Sequence, residues 1–86
     1  MITIKDCIGL SGLTEEEIDA IAQHEHVPEI VAVELGCCLD STAEGQHRIL
    51  EMIDDDIVVE RAAGHRSRAA ELQVTRHEYQ RHHPGA

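Results

Sequence analysis

Residues 41–57, Ser-Thr-Ala-Glu-Gly-Gln-His-Arg-Ile-Leu-Glu-Met-Ile-Asp-Asp-Asp-Ile, carry the pattern that decides the fold class. Ile49, Leu50, Ile53 and Ile57 recur at three- and four-residue intervals and share one face of a helix turning about 100° per residue. Ser41 followed three residues later by Glu44 reads as a capping box opening that helix: the hydroxyl takes the Glu44 amide and the carboxylate takes the Ser41 amide. Gly64 is the expected stop.

The flanking segments repeat the signal. Thr14-Glu-Glu-Glu17 is a second capping box, and Ile18, Ile21 and Ala22 mark the buried stripe of the helix it starts. Pro28 lacks the amide that would bond to the His24 carbonyl, so this helix is expected to end near His26 and another to begin at Pro28. That next helix runs to about Leu39. Ile30, Val31, Ala32, Val33, Leu35, Cys37, Cys38 and Leu39 surround its axis, which predicts a central position. Thr3-x-x-Asp6 opens a short first helix, with Gly9 and Gly12 bracketing the turn after it. Residues 67–83, with Ala69, Leu72, Val74 and Tyr79, form a weakly amphipathic last helix ended by Pro84 and Gly85. No alternating strand pattern, internal repeat or linker interrupts the series. The fold class is all-α, a compact bundle of four or five short helices in one domain spanning 1–86.

Composition sets the thickness of that bundle. Tyr79 is the single aromatic residue among 86, so the core must come from Ile, Leu, Val, Ala, Met and Cys. A domain this small buries only about 60–65% of its unfolded surface, and without large rings it is expected to gain burial by self-association, as a dimer. The net charge of −10 removes the basic footprint that nucleic-acid binding needs. Residues 1–60 hold 15 acidic and 2 basic side chains, whereas residues 61–86 hold 5 Arg and 2 Glu. The basic segment is therefore expected to pack along the acidic body.

The longest run without a charged residue is the eight from Cys7 to Thr14, so neither a leader nor a membrane span is expected. Cys7, Cys37 and Cys38 are odd in number and have no C-x-x-C spacing; they read as reduced thiols of a cytoplasmic protein, packed as small hydrophobes.

The densest polar constellation is His24-Glu25-His26 with Glu29. Glu25 falls about 20° from Ile18 round the helix, which places a carboxylate on the buried stripe. A buried carboxylate needs a cation, hydrogen bonds, a metal or a proton. If helical geometry persisted past the proline, Glu25, His26 and Glu29 would share a turn and, with His24 and Glu34, could ligate iron, manganese or zinc. The bland alternative is local pairing of Glu25 with solvated histidines beside it, and pairing of Glu34 with Arg68 or Arg76. Asp54, Asp55 and Asp56 point about 100° apart on a helix and cannot converge on one cation; they read as an exposed face. His65, His77, His82 and His83 are expected in solvent.

No nucleophile has an activating histidine at helical spacing and no phosphate loop is present, so catalysis is not expected. The function expected is that of a small binding or regulatory module. It would act by self-association or by meeting a basic protein surface through Glu15, Glu16, Asp19, Glu51 and Asp55. Metal binding at the Glu25-His26-Glu29 turn is the alternative.

The opening Ile-Thr-Ile-Lys-Asp-Cys-Ile-Gly-Leu-Ser-Gly-Leu-Thr-Glu-Glu-Glu, the His-Glu-His-Val-Pro-Glu-Ile of 24–30 and the Met-Ile-Asp-Asp-Asp-Ile of 52–57 resemble those of a group of short bacterial helical proteins without an assigned activity. The stretch from Gln73 to Arg81 departs from the group, being poorer in Leu and Phe. The resemblance implies a bacterial, soluble, helical protein and transfers no site.

Overall fold

The computed structural model describes residues 3–83, folded as five helices: α1 (Ile4–Ser11), α2 (Glu15–Glu25), α3 (Glu29–Asp40), α4 (Ala43–Ala62) and α5 (Arg66–His82). The all-α expectation holds. Pro84 and Gly85, read as ending α5, lie outside the described residues.

Local chemistry sets the helix ends. The Thr14 amide donates to Glu17 Oε1 at 2.9 Å and the Glu17 amide donates to Thr14 Oγ1 at 3.2 Å, so the second box forms as read. Thr3 and Asp6 exchange the same pair of bonds, each 3.1 Å. With its start capped, α1 continues through Gly9, and only Gly12, at φ 79°, breaks it. α2 ends when His26 enters the left-handed region at φ 56°, and Pro28 then caps α3 from an extended conformation instead of occupying its first turn. The start of α4 also differs from expectation. Ser41 closes α3, and Thr42 caps α4, its Oγ1 accepting from the Gly45 amide at 2.9 Å. Glycine at that third position has no carboxylate to return the bond.

The central helix is α4, not α3. It packs against α2, α3 and α5 and buries Ile49, Leu50, Met52, Ile53 and Ile57 in one cluster with Ile18 and Ile21 of α2 and Leu72 and Tyr79 of α5. α3 buries only Ala32, Val33 and Gly36. Gly36 sits so near α2 that an added Cβ would lie 2.7 Å from Leu13 Cδ1 and 3.1 Å from Ile21 Cδ1. The molecule measures 40 × 28 × 18 Å, hence two helices thick, and a surface helix covers its apolar residues on one side only. Ile30, Val31, Cys37 and Cys38 remain exposed on the other, which corrects the expectation of inward packing for these two cysteines, whereas Cys7 packs against the core as expected.

α5 lies along α4 and α2 as the charge asymmetry predicts. Arg76 Nε meets Asp54 Oδ1 at 2.6 Å, and Arg68 donates to Gln23 Oε1 at 3.0 Å. Val74 faces solvent and Thr75 is buried instead, bonding back to the Glu71 carbonyl at 3.0 Å.

The far end of α5 is pinned by Tyr79. Its ring is fully buried, its hydroxyl donates to Asp40 Oδ1 at 2.6 Å, and the His83 ring stacks on it with centroids 4.0 Å apart. Burial, together with the bond to Asp40, raises the phenol above its ordinary pKa. His83 is thus drawn out of solvent: Nδ1 is 2.8 Å from the Tyr79 carbonyl and Nε2 is 3.2 Å from Asp40 Oδ1. Tyr79→Phe is expected to lower stability by about 1.5–3 kcal/mol, the range for a hydrogen bond to a charged group. Urea denaturation measures it; an unchanged midpoint would contradict the pin.

Candidate functional site

The residues read as metal ligands are placed by the ends of α2 and α3. The buried stripe of α2 runs out one turn before the helix does, so Glu25, its last residue, is exposed instead of facing the core. The Glu25 carboxylate takes His24 Nδ1 at 2.7 Å, and Nε2 of the same ring meets Asp55 Oδ2 of α4 at 2.9 Å. Burial pulls the imidazole pKa down, but the bonds to Asp55 and Glu25 outweigh it and hold the group above its ordinary value. The ring bridges α2 to α4, with a carboxylate oxygen at each of its two nitrogens.

His26 breaks the helical path that would have placed Glu25, His26 and Glu29 on one turn. Glu34 is exposed on α3, while Arg68 bonds Gln23 and Glu71, and Arg76 bonds Asp54 and Gln80, so neither arginine pairs with it. Among the described residues no group of three or more His, Cys, Asp or Glu side chains is arranged to hold a metal ion.

The acidic residues read as a partner surface are all exposed: Glu15, Glu16 and Asp19 on α2, Glu51 and Asp55 on α4. Two are already engaged, Glu51 with Arg48 at 3.2 Å and Asp55 with His24. Glu16 borders a groove of about 500 Å³ between α2 and α5, where Glu17, Glu71 and Glu78 face Arg68 and His82. Glu17 is buried, which raises its pKa although the bonds from Thr14 oppose the shift.

A different surface combines exposure with absence of charge. Leu10 at the end of α1 is 81% exposed. The next residue, Ser11, has its carbonyl 4.0 Å from Cys37 Sγ, which sets the tip of α1 beside the C-terminal half of α3. Gly9, Leu10, Gly12, Cys37, Cys38 and Ser41 are exposed on these two helices and at their ends, and none of them is Asp, Glu, Lys or Arg. The uncharged run from Cys7 to Thr14 is the sequence signal for this patch; that Cys37 of α3 stands beside its end depends on the packing of α1 on α3.

No family model, curated protein or solved structure matches this chain. The residues themselves therefore carry the functional reading. No helix among the described residues is long and apolar enough to cross a membrane.

Proposed function

We propose that the chain is a small contact module that pairs with a second copy of itself through the uncharged patch of Leu10, Cys37 and Cys38. The observation that carries this reading is the 81% exposure of Leu10, one residue before the Ser11 carbonyl that lies 4.0 Å from the Sγ of exposed Cys37, on a molecule of net charge −10. Two identical acidic bodies repel wherever their carboxylates face, so a neutral apolar patch is the surface through which they can approach. A two-fold contact is self-complementary. Centred on α3 at Glu34 it would oppose two carboxylates, whereas centred at Cys37 and Cys38 it sets both Glu34 side chains toward the rim. A reducing compartment such as the cytoplasm fits this arrangement, because the cysteines there stay thiols.

Salt distinguishes this contact from the capture of a basic partner. Screening relieves repulsion between like-charged copies, so pairing should strengthen as ionic strength rises, whereas attraction to a basic surface should weaken. Light scattering at tens of micromolar is expected to give twice the 9.5 kDa chain mass, and Leu10→Glu to restore the single mass. A monomeric wild type, or a dimer indifferent to Leu10→Glu, contradicts the reading.

A further inference from the structure

Asp56 stands apart from its neighbours Asp54 and Asp55. It is only 4% exposed, and its Oδ2 has no hydrogen-bond partner. Buried carboxylate oxygens are ordinarily satisfied, and one left open needs a donor. Asp56 lines a cleft of about 240 Å³ between the C-terminal halves of α2 and α4, together with Gln23, His24, His26, Asp55 and Val59. We propose that this cleft binds an alkylguanidinium group, whose N–H donors meet the Asp56 carboxylate while its alkyl stem lies along Val59.

Three features of the cleft select that chemistry. Asp55 and Asp56 line it and Glu60 lies near enough to act on Asp56, with His24 and Arg68 as the cations that act on Asp56 and His26 also in the lining. Both cations are engaged, His24 between Glu25 and Asp55, and Arg68 on Gln23, which in turn donates to Glu60 at 2.8 Å. A metal ion is disfavoured because no three ligands converge among the described residues. A planar guanidinium is more weakly hydrated than an ammonium and so loses less on entering a partly buried acidic cleft. The volume, below the roughly 300–1,000 Å³ of pockets for drug-sized ligands, suits one such head group with a short stem.

Protonation supplies a second signature. Burial raises the Asp56 pKa to about 6, with His24 and Arg68 lowering it and Asp55 and Glu60 raising it. Acid therefore discharges the carboxylate, and it also favours the His24 imidazolium, so both changes oppose a cation.

Butylguanidinium is the direct probe, followed by amide chemical shifts of the full chain. A blocked Gly-Arg-Gly peptide is the second arm, since an arginine side chain offers the same group from a protein source. Sub-millimolar saturable binding is expected, with shifts centred on His24, Asp56 and Val59, weakening at least tenfold between about pH 7.5 and about pH 5. Asp56→Asn should reduce affinity at least tenfold. Val59→Lys, at an exposed position, should block the cleft with a tethered cation while leaving circular dichroism unchanged. Peptide binding matching that of butylguanidinium points to an arginine side chain as the ligand, and weaker peptide binding to a free small molecule. No saturable binding of either probe, undiminished binding by Asp56→Asn and Val59→Lys, or Asp56-dependent binding of zinc chloride in their place would each overturn the proposal.

Discussion

Replacing Gly45 with alanine is expected to destabilise the protein by about 3 kcal/mol, although alanine is the better helix former by about 1 kcal/mol. Gly45 occupies the third position of α4, where the chain has just turned back from α3. An added Cβ would overlap the Leu39 carbonyl oxygen and sit 2.7 Å from Leu39 Cα. Those are backbone atoms, which cannot rotate away as a side chain would. Relief requires the α3–α4 turn to open, loosening the Thr42 cap and the packing of α3 on α4 together. A domain of this length holds on the order of 4–13 kcal/mol of stability, so the loss is a large share of the total. Urea denaturation followed by circular dichroism reads it. A rise in stability, as helix propensity alone would give, would contradict the turn described.

Asp56→Asn is expected to act in the opposite direction, raising stability at neutral pH by up to about 3 kcal/mol. The sign follows from the direction of the shift. The native carboxyl titrates at about 6 instead of its ordinary 3.8, so the folded chain binds this proton more tightly than the unfolded chain. Its favourable contribution is complete below about pH 4 and is lost as pH rises through about 6, where the buried group must ionise. Asparagine never ionises. The stability difference between variant and wild type should therefore be near zero at about pH 4 and grow to its full size by about pH 7. Thermal denaturation across that range checks it; a difference independent of pH would show that charge burial is not its cause. A carboxylate kept where it weakens the fold is the pattern of a functional group, and it is the same group on which guanidinium binding depends.

The pair Asp56 and Glu25 shows what periodicity does and does not reveal. Each sits about 20° from a core isoleucine seven residues earlier, Ile49 and Ile18 respectively. Only Asp56 is buried. The angle fixes the face of a helix, but burial also needs a neighbour at that height, and α4 is covered by other helices at Asp56 while α2 has passed beyond the core at Glu25. The run of three acids hid Asp56, although its place on the stripe of Ile49 and Ile53 was available in the sequence.

The same limit explains α3. Its apolar residues encircle the axis, which suggests a helix covered on all sides, yet a bundle two helices thick has only one central place, and the longer α4 occupies it. By contrast, the Thr14–Glu17 box and the stripe of Ile49, Leu50, Ile53 and Ile57 depend on contacts within one helix or on one dominant face, and both appear as read. The cap of α4 moved by one residue because Ser41 and Thr42 are chemically equivalent as caps. The α3–α4 turn, which sequence spacing does not determine, chose Thr42. The candidate contact patch was half legible: its uncharged α1 segment is contiguous, whereas Cys37 and Cys38 join it only through the packing of α1 on α3.

Self-association through that patch is the central claim, and an isotope-filtered nuclear Overhauser experiment on mixed labelled and unlabelled chains addresses it most directly. Cross-peaks confined to intermolecular pairs should connect the Leu10 methyl groups of one copy to the Cys37 or Cys38 side chains of the other, and should vanish in Leu10→Glu. Intermolecular cross-peaks from the acidic faces of α2 and α4 instead, or none at concentrations where light scattering reports a dimer, would contradict it.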